Sequence, residues 1–405
     1  MENESKLKIL MVSTEYPPMQ GGVGRYTFNL VKALRSFNTQ VYVCSGNEGE
    51  GEYKGLYPYN MDNSNILLKV IQKIDPDIVH IQMEHGLYGL RFNSLLPSKI
   101  ITSLDHFYSK CNKPIITTFH SSYDFKQWLN LASIRQKRFN IKKIAEYWKR
   151  IINYRSYLEL NNRIFQKSSA SIVCSKYLTN FIPGCKVIYH GANSYFSQPV
   201  SKEEARTKLS LPLGSKIALA QGFFTSTKGW DIISQMEIPD DWIIVLNHSN
   251  YHYSKQNFDI DLDNSRTRNK IINLDKNFLS EAELSLLFYA SDVVILPYKV
   301  CSGSGVMFDA IAHGRPFIAS DLNFFKEFKD MKLGITVERK PDEFVKALGY
   351  MDKNYLSYVS DIERFKVKLD WNRIAKQHLE IYNKSINRTS QIPNPINNEL
   401  IVIQS

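Results

Sequence analysis

The sequence predicts an α/β protein of two doubly wound, parallel-sheet domains facing a central cleft. Three observations carry this. Short apolar runs of strand length alternate with helical patterns from residue 8 onward. The same alternation restarts near residue 215. With 405 residues, 43% of them apolar and 22% charged, the chain has a globular composition, and it is long enough for two cores of about 150–200 residues each.

In the first half, KILMVS (8–13) reads as a strand, followed by the turn-rich TEYPPMQGGVGRY and a helical pattern carrying Phe28, Leu30, Val31 and Leu34. TQVYVCSG (39–46), DIVHIQ (77–82), PIITTFH (114–120), SASIVCS (169–175) and KVIYHG (186–191) continue the strands. In the second half they are KIALAQG (216–222), WIIVLNH (242–248), KIINLD (270–275), DVVILPY (292–298) and RPFIAS (315–320). SEAELSLLFYAS (280–291) opens on a serine with an acidic residue three positions on, a capping-box signature. The expected division is 1–200, then 201–369, with the boundary in 194–214. A helix over about 370–385 rejoins the first domain, and a polar tail over 386–405 is expected to be poorly ordered. Strands joined by helices imply parallel sheets covered on both faces.

Composition excludes several classes. The five cysteines show no zinc or redox spacing, which suits a reduced compartment. No signal peptide and no 18-residue apolar window is visible, so the expectation is a cytoplasmic protein, at most peripheral at the inner face of a membrane. The net charge of +11 resides in residues 1–200, and residues 126–167 hold 11 basic and 2 acidic side chains. There Leu131, Ile134, Ile141, Ile144, Trp148, Ile151 and Leu158 recur at helical spacings among Lys137, Arg138, Lys142, Lys143, Lys149, Arg150 and Arg155. Two readings stand: an amphipathic helix with a solvated basic face, or docking to an anionic membrane surface that carries a lipid-linked acceptor. Nucleic acid is not an expected partner, because no binding module accompanies the charge.

In open α/β sheets ligands sit at the carboxyl ends of the strands. DVVILPY runs into KVCSGSGVMFDAIAHG, where Ser302 to Gly305 form a small-residue loop and a helix starts near Gly305 and Val306. Small residues such as Ser304 let a phosphate approach the backbone, and the helix end offers N–H groups and partial positive charge. That dipole is worth about 0.3–1 kcal/mol, so a diphosphate needs a cation as well. Lys228, in GFFTSTKGWD (222–231) with Phe223 and Thr225, is the candidate, worth roughly 1.5–3 kcal/mol through a charge-assisted hydrogen bond. Asp309, one turn into the helix, can accept hydrogen bonds from a ribose diol. Gly21, Gly22 and Gly24 form a tight turn after the first strand. His120 ends a strand at the expected cleft, whereas Glu84, His85 and Arg25 are weaker, acceptor-side candidates. His120, Lys228 and Asp309 are the expected catalytic residues. No DxD-like metal motif is evident, so neither metal nor cofactor is expected.

These segments resemble, in order, the motifs of glycosyltransferase family 4, the large retaining family with the GT-B fold of two Rossmann-like domains. TEYPPMQGGVGRY (14–26) resembles its glycine loop and VIYHGAN (187–193) its interdomain strand motif. GFFTSTKGWD resembles its donor-phosphate lysine motif and VMFDAIAHGRPFIASD (306–321) its diagnostic helix-turn-strand. The similarity spans about residues 7–385. It implies a hexosyltransferase that moves a sugar from a nucleotide-diphosphate donor, such as a UDP-sugar, to a hydroxyl on a glycan or lipid-linked acceptor, with retention, in polysaccharide or glycoconjugate biosynthesis. It places the sugar-contacting histidine at His120, the donor-phosphate loop at Gly22 and Gly24, and Glu327 at the sugar end of the pocket. Two positions depart from the family: Cys301 stands where an acidic residue is usual, and Phe223 where an arginine is common. The alternatives are an epimerase or sugar-phosphate synthase on the same fold, or a catalytically altered binding subunit.

Overall fold

A computed structural model describes residues 6–92, 99–134, 141–249, 268–274, 276 and 278–390. The first domain runs β1 (Leu7–Val12), α1 (Gly22–Leu34), β2 (Thr39–Gly46), β3 (Tyr53–Leu56), α2 (Asn63–Ile74), β4 (Ile78–Met83), α3 (His85–Tyr88), β5 (Arg91–Phe92), β6 (Ile100–Ile101), α4 (Asp105–Lys110), β7 (Ile115–Phe119), α5 (Phe125–Ile134), α6 (Ile141–Lys167), β8 (Ala170–Val173) and β9 (Lys186–Val187). The second runs α7 (Lys202–Lys208), β10 (Lys216–Phe223), α8 (Trp230–Ile233), β11 (Trp242–Ser249), β12 (Ile271–Asn273), α9 (Glu281–Ala290), β13 (Val293–Leu296), α10 (Gly305–Ala312), β14 (Phe317–Ser320), α11 (Asn323–Asp330), β15 (Gly334–Val337) and α12 (Pro341–Lys366). α13 (Trp371–Ser390) ends the described chain.

The sheets have the orders β3-β2-β1-β4-β7-β8-β9 and β12-β11-β10-β13-β14-β15, and every pairing is parallel. Each chain path starts in mid-sheet, goes one way, then returns to extend the other side. The crevices therefore open between β1 and β4 and between β10 and β13, at the carboxyl ends of the strands. These are two Rossmann-like domains.

Period-two alternation explains the apolar runs, since both faces of each strand are covered. In β1, Ile9 and Met11 face a cluster completed by Leu30 and Leu34 of α1 and by Ile374, Ala375 and Tyr382 of α13. The last helix thus packs on the first sheet. Leu10 and Val12 face the other way, into a core that continues across the domain boundary to Leu219, Val294 and Phe308. The outer face of the second sheet is sealed by Trp230, Phe344, Leu348 and Met351. Ser280 caps α9 in a full capping box with Glu283.

Three sequence expectations change. KVIYHG is a strand only over Lys186–Val187. After Ile188 donates to Val173 O at 3.0 Å, the chain leaves the sheet edge, and Ala192 N–H bonds Leu369 O at 2.9 Å on the crossing. The short strands β3, β5, β6 and β15 were not anticipated; a strand of two to four residues is too short for periodicity to register. In α6 the inward face is Tyr157, Leu160 and Ile164, while Ile144 and Trp148 point outward, Trp148 being 58% exposed. Arg150 is not solvated: its guanidinium lies 4.8 Å above the Trp128 ring. Lys137, Arg138 and the tail beyond residue 390 lie outside the described residues, as do the side chains of Ile134, Ile141, Lys142 and Lys143.

Candidate functional site

A cleft of about 840 Å³ lies between the domains at the carboxyl ends of the strands, within the ordinary range for small-molecule sites. From the second domain Gly222, Phe223, Lys228, Gly303, Ser304, Gly305, Val306 and Asp309 line it; from the first, Gly21, Gly22 and Arg25. Local chemistry sets the donor-side loop. Ser304 is the N-cap of α10, its Oγ accepting from Met307 N–H at 3.2 Å, which leaves the preceding backbone donors of the helix end open to a ligand. Lys228 is aimed by its neighbour: Gly229 has φ +82°, and a Cβ there would lie 1.9 Å from Pro297 O, so only glycine fits. Lys228 Nζ rests 4.0 Å over the Tyr298 ring.

Asp309 is buried and carries the densest electrostatics. Its Oδ2 accepts from Arg25 Nη1 at 2.6 Å. Arg25 is also held in a fork by Glu281, with Nε to Oε1 and Nη2 to Oε2 both at 2.7 Å. Burial works against the guanidinium charge, but the two carboxylates outweigh it and raise the Arg25 pKa. Asp309 Oδ1 is buried without a hydrogen-bond partner in the protein, an acceptor that a ligand hydroxyl would satisfy. Arg25, read from sequence as an acceptor-side group, reaches across the cleft to Glu281 and Asp309 of the second domain.

His120 stands just past β7 and is not among the residues that line the cleft; its backbone carbonyl lies 3.1 Å from where a Cβ on the cleft residue Gly303 would be. Gln82 Oε1 faces its Nε2 at 2.8 Å, which calls for the proton on Nε2 and leaves Nδ1 as the lone-pair nitrogen. Burial first, then neighbouring His190, lowers its pKa to about 3, so the ring is neutral at physiological pH.

Several predicted residues lie elsewhere. Gly24 does not line the cleft; its N–H donates to Glu15 Oε2 at 3.3 Å. Thr225 also does not, its hydroxyl pairing with that of Thr227 at 2.7 Å. Glu327 does not line the cleft: it accepts from Tyr177 N–H at 3.2 Å and Tyr189 OH at 3.0 Å, bracing the domain boundary. Glu84 caps α3 through Gly86 N–H. His85 is buried against Asn161 Oδ1 at 2.7 Å, and burial lowers its pKa. Cys301, at the unusual position, is a buried thiol whose pKa burial pushes up to about 12, and its N–H donates to Gln127 Oε1 of α5 at 2.7 Å.

Sequence reasoning missed several residues that shape the cleft. His190 lines it, stacked on Phe308 at 5.5 Å and 8°; its place in VIYHGAN was the available signal. Tyr26 sits between His120 and His190, with ring centroids at 4.9 and 5.0 Å. Glu15 is buried beneath the glycine loop, its Oε2 2.1 Å from where a Gly21 Cβ would be, and burial raises its pKa to about 7. Glu281 and Gln127 carried no local signal, because their partners are remote in sequence. Among the described residues no group of three or more His, Cys, Asp or Glu is placed to hold a metal ion, and no helix is long and apolar enough to cross a membrane.

Residues 20–187 match the family model Glycosyltransferase Family 4. No curated protein sequence matches the chain. Among solved structures, the sucrose-phosphate synthase of Thermosynechococcus elongatus superposes with a TM-score of 0.70 at 16% identity, over 95% of this chain and 100% of that one. Anabaena Alr3699/HepE, solved in complex with UDP, gives 0.63 at 15% identity over 93% and 100%. WaaG, a glycosyltransferase involved in lipopolysaccharide biosynthesis, gives 0.62 at 12% over 92% and 99%. The chain therefore has the GT-B fold over nearly its whole length, and its N-terminal domain matches the Glycosyltransferase Family 4 model.

Proposed function

We propose that the protein is a glycosyltransferase that moves a hexosyl group from a nucleotide-diphosphate donor to a hydroxyl acceptor with retention of configuration. The observation that carries this is the convergence on one cleft of a serine-capped helix end, Lys228 and the buried, part-orphaned Asp309. A UDP-sugar is the donor we favour; HepE has been solved with UDP-glucose, and starch synthase IV with ADP.

In this reading the diphosphate lies over the 303–306 backbone beside Lys228, and the ribose hydroxyls donate to Asp309. The acceptor oxygen attacks the anomeric carbon as its bond to the phosphate oxygen breaks. The acceptor proton passes to the departing phosphate oxygen on the same face, so no enzyme nucleophile is needed. Charge grows on the leaving diphosphate, where preorganised donors act most strongly. His120, neutral with a lone pair on Nδ1, offers an acceptor to a sugar hydroxyl. Lys228 and the helix end supply the positive charge, and no divalent ion is required. Incubation with UDP-glucose, ADP-glucose and GDP-mannose tests the proposal by nucleotide release. Lys228→Ala should lower release about 100-fold, and EDTA should leave it intact; release unchanged in Lys228→Ala overturns the site.

The acceptor we favour is a glycan or lipid-linked sugar at an anionic membrane surface. Phe125, Ile144, Tyr147, Trp148 and Ile152 are exposed on α5 and α6, in the segment with 11 basic and 2 acidic residues. Each basic group near an anionic surface contributes about 1 kcal/mol. Co-sedimentation with phosphatidylglycerol vesicles at low salt should be lost in Trp148→Ala/Arg155→Ala; absence of wild-type binding ends this part of the reading.

A further inference from the structure

We infer that Arg25, a residue of the N-terminal domain, completes the donor subsite of the opposite domain by holding Asp309 in its binding orientation. The inference rests on the reading that a nucleoside diphosphate occupies the cleft. Arg25 is a positioning residue, acting through Asp309.

The base of Arg25 is fixed. It lies in the first turn of α1, directly behind the loop that is pinned on Glu15. Its guanidinium uses a planar fork, two N–H groups on Glu281 and one on Asp309. Glu281 is the first residue of α9, whose start is fixed by the capping box, and Asp309 belongs to α10. One cation thus clips two helices of the second domain to the first helix of the first.

The clip also selects a geometry. With Oδ2 taken by Arg25, the carboxylate cannot rotate about its last bond, and Oδ1 is left buried in the cleft wall with no protein donor. A buried acceptor without a donor is unfavourable, and the vicinal hydroxyls of a ribose are the chemistry that satisfies it. The nucleotide would then join one hydrogen-bonded chain: Glu281, Arg25, Asp309, ribose hydroxyl. Its affinity would depend on a residue of the domain that does not otherwise hold it, so that donor binding favours the closed cleft. A salt bridge of purely structural role predicts otherwise. Such a bridge, with Asp309 only 5% exposed, would lower the melting temperature when broken and leave nucleotide affinity unchanged.

Isothermal titration with UDP, ADP and GDP, each alone, tests this on the full chain. For whichever binds the wild type, Arg25→Ala should weaken affinity about tenfold or more, equivalent to about 1.4 kcal/mol. Arg25→Lys should fail to restore it, because an ammonium lacks the fork. In an Asp309→Ala background, Arg25→Ala should cost nothing further. Melting temperatures without nucleotide report whether each variant is folded. Wild-type affinity in Arg25→Ala, or fully additive losses in the double variant, overturns the inference while leaving the donor site standing. Failure of all three nucleotides to bind the wild type overturns the donor-site reading and this inference with it.

Discussion

The two walls of the cleft are built on opposite principles. The N-terminal wall is lined behind its surface by neutral polar groups: Tyr382 OH meets His80 Nδ1 at 2.6 Å, His80 Nε2 lies 3.3 Å from Gln82 Nε2, and Gln82 Oε1 holds His120. The C-terminal wall has its own neutral pairs, Asn247 Nδ2 to Gln221 Oε1 at 3.1 Å and His313 Nε2 to Ser285 Oγ at 2.9 Å, but sets charged groups at its surface. Its loop is made of Ser302, Gly303, Ser304 and Gly305, and its polarity comes from the α10 helix end, Lys228, Gln221 and the carboxylates of Asp309 and Glu281. The first arrangement keeps imidazoles uncharged and fixed in orientation; the second places Lys228 and the α10 helix end in one cleft with two carboxylates. The comparison teaches that the charged side chains of the cleft and its buried neutral imidazoles sit largely in different domains, and that Arg25 is the cation linking the two.

The division is most sharply tested at Lys228. Lys228→Ala should lower kcat/KM for sugar transfer about 100-fold, near 3 kcal/mol, and weaken nucleotide binding as well. Steady-state kinetics with titration of the free nucleotide checks both. If nucleotide affinity does not change, the C-terminal wall is not the phosphate side. His120→Ala should act differently, reducing kcat about tenfold with nucleotide affinity unchanged. Because the ring is neutral down to about pH 3, the wild-type kcat profile should show no inflection from His120 between pH 5 and pH 8. An imidazole-like inflection that disappears in His120→Ala would break the assignment.

Stability against pH tests the buried titratable groups of the first domain and α13 next. In the N-terminal domain and its α13, burial lowers the pKa of His190 and His378 to about 4 and of His120 to about 3. Protonation therefore favours the unfolded chain: their contribution is fully present above the ordinary value of 6.5 and is lost as pH falls towards 4. Glu15 runs the other way. Its pKa is raised from 4.5 to about 7, so its contribution is complete below 4.5 and lost as pH rises through 7. The melting temperature should thus fall on acidification from pH 6.5 to 4, and Glu15→Gln should selectively raise it near pH 8. A melting temperature flat over the acid range would contradict the buried neutral imidazoles. The smallest effect belongs to Gln127→Ala, which removes one cross-domain hydrogen bond to Cys301 N–H. About 1 kcal/mol of stability and a few-fold rise in donor KM are expected, readable by urea unfolding and kinetics.

The strands β1, β10, β11 and β13 were legible because a run of four or more apolar residues is a local signature of a covered parallel strand. Lys228-Gly229, the Ser-Gly loop and Asp309 were legible for a related reason: each sits just after a strand, and that position alone directs a residue towards the cleft. By itself the sequence determined the two-domain α/β architecture and the donor-side wall. Tertiary structure alone decided the rest. Arg25 meets Asp309 across 284 positions of chain, Gln82 meets His120 across 38, and Glu327 turns away from the cleft to Tyr177 across 150. Periodicity and capping are encoded within a turn or a strand. The partner of a buried charge is set by which surfaces the packed sheets bring together, and no short stretch of sequence carries that information.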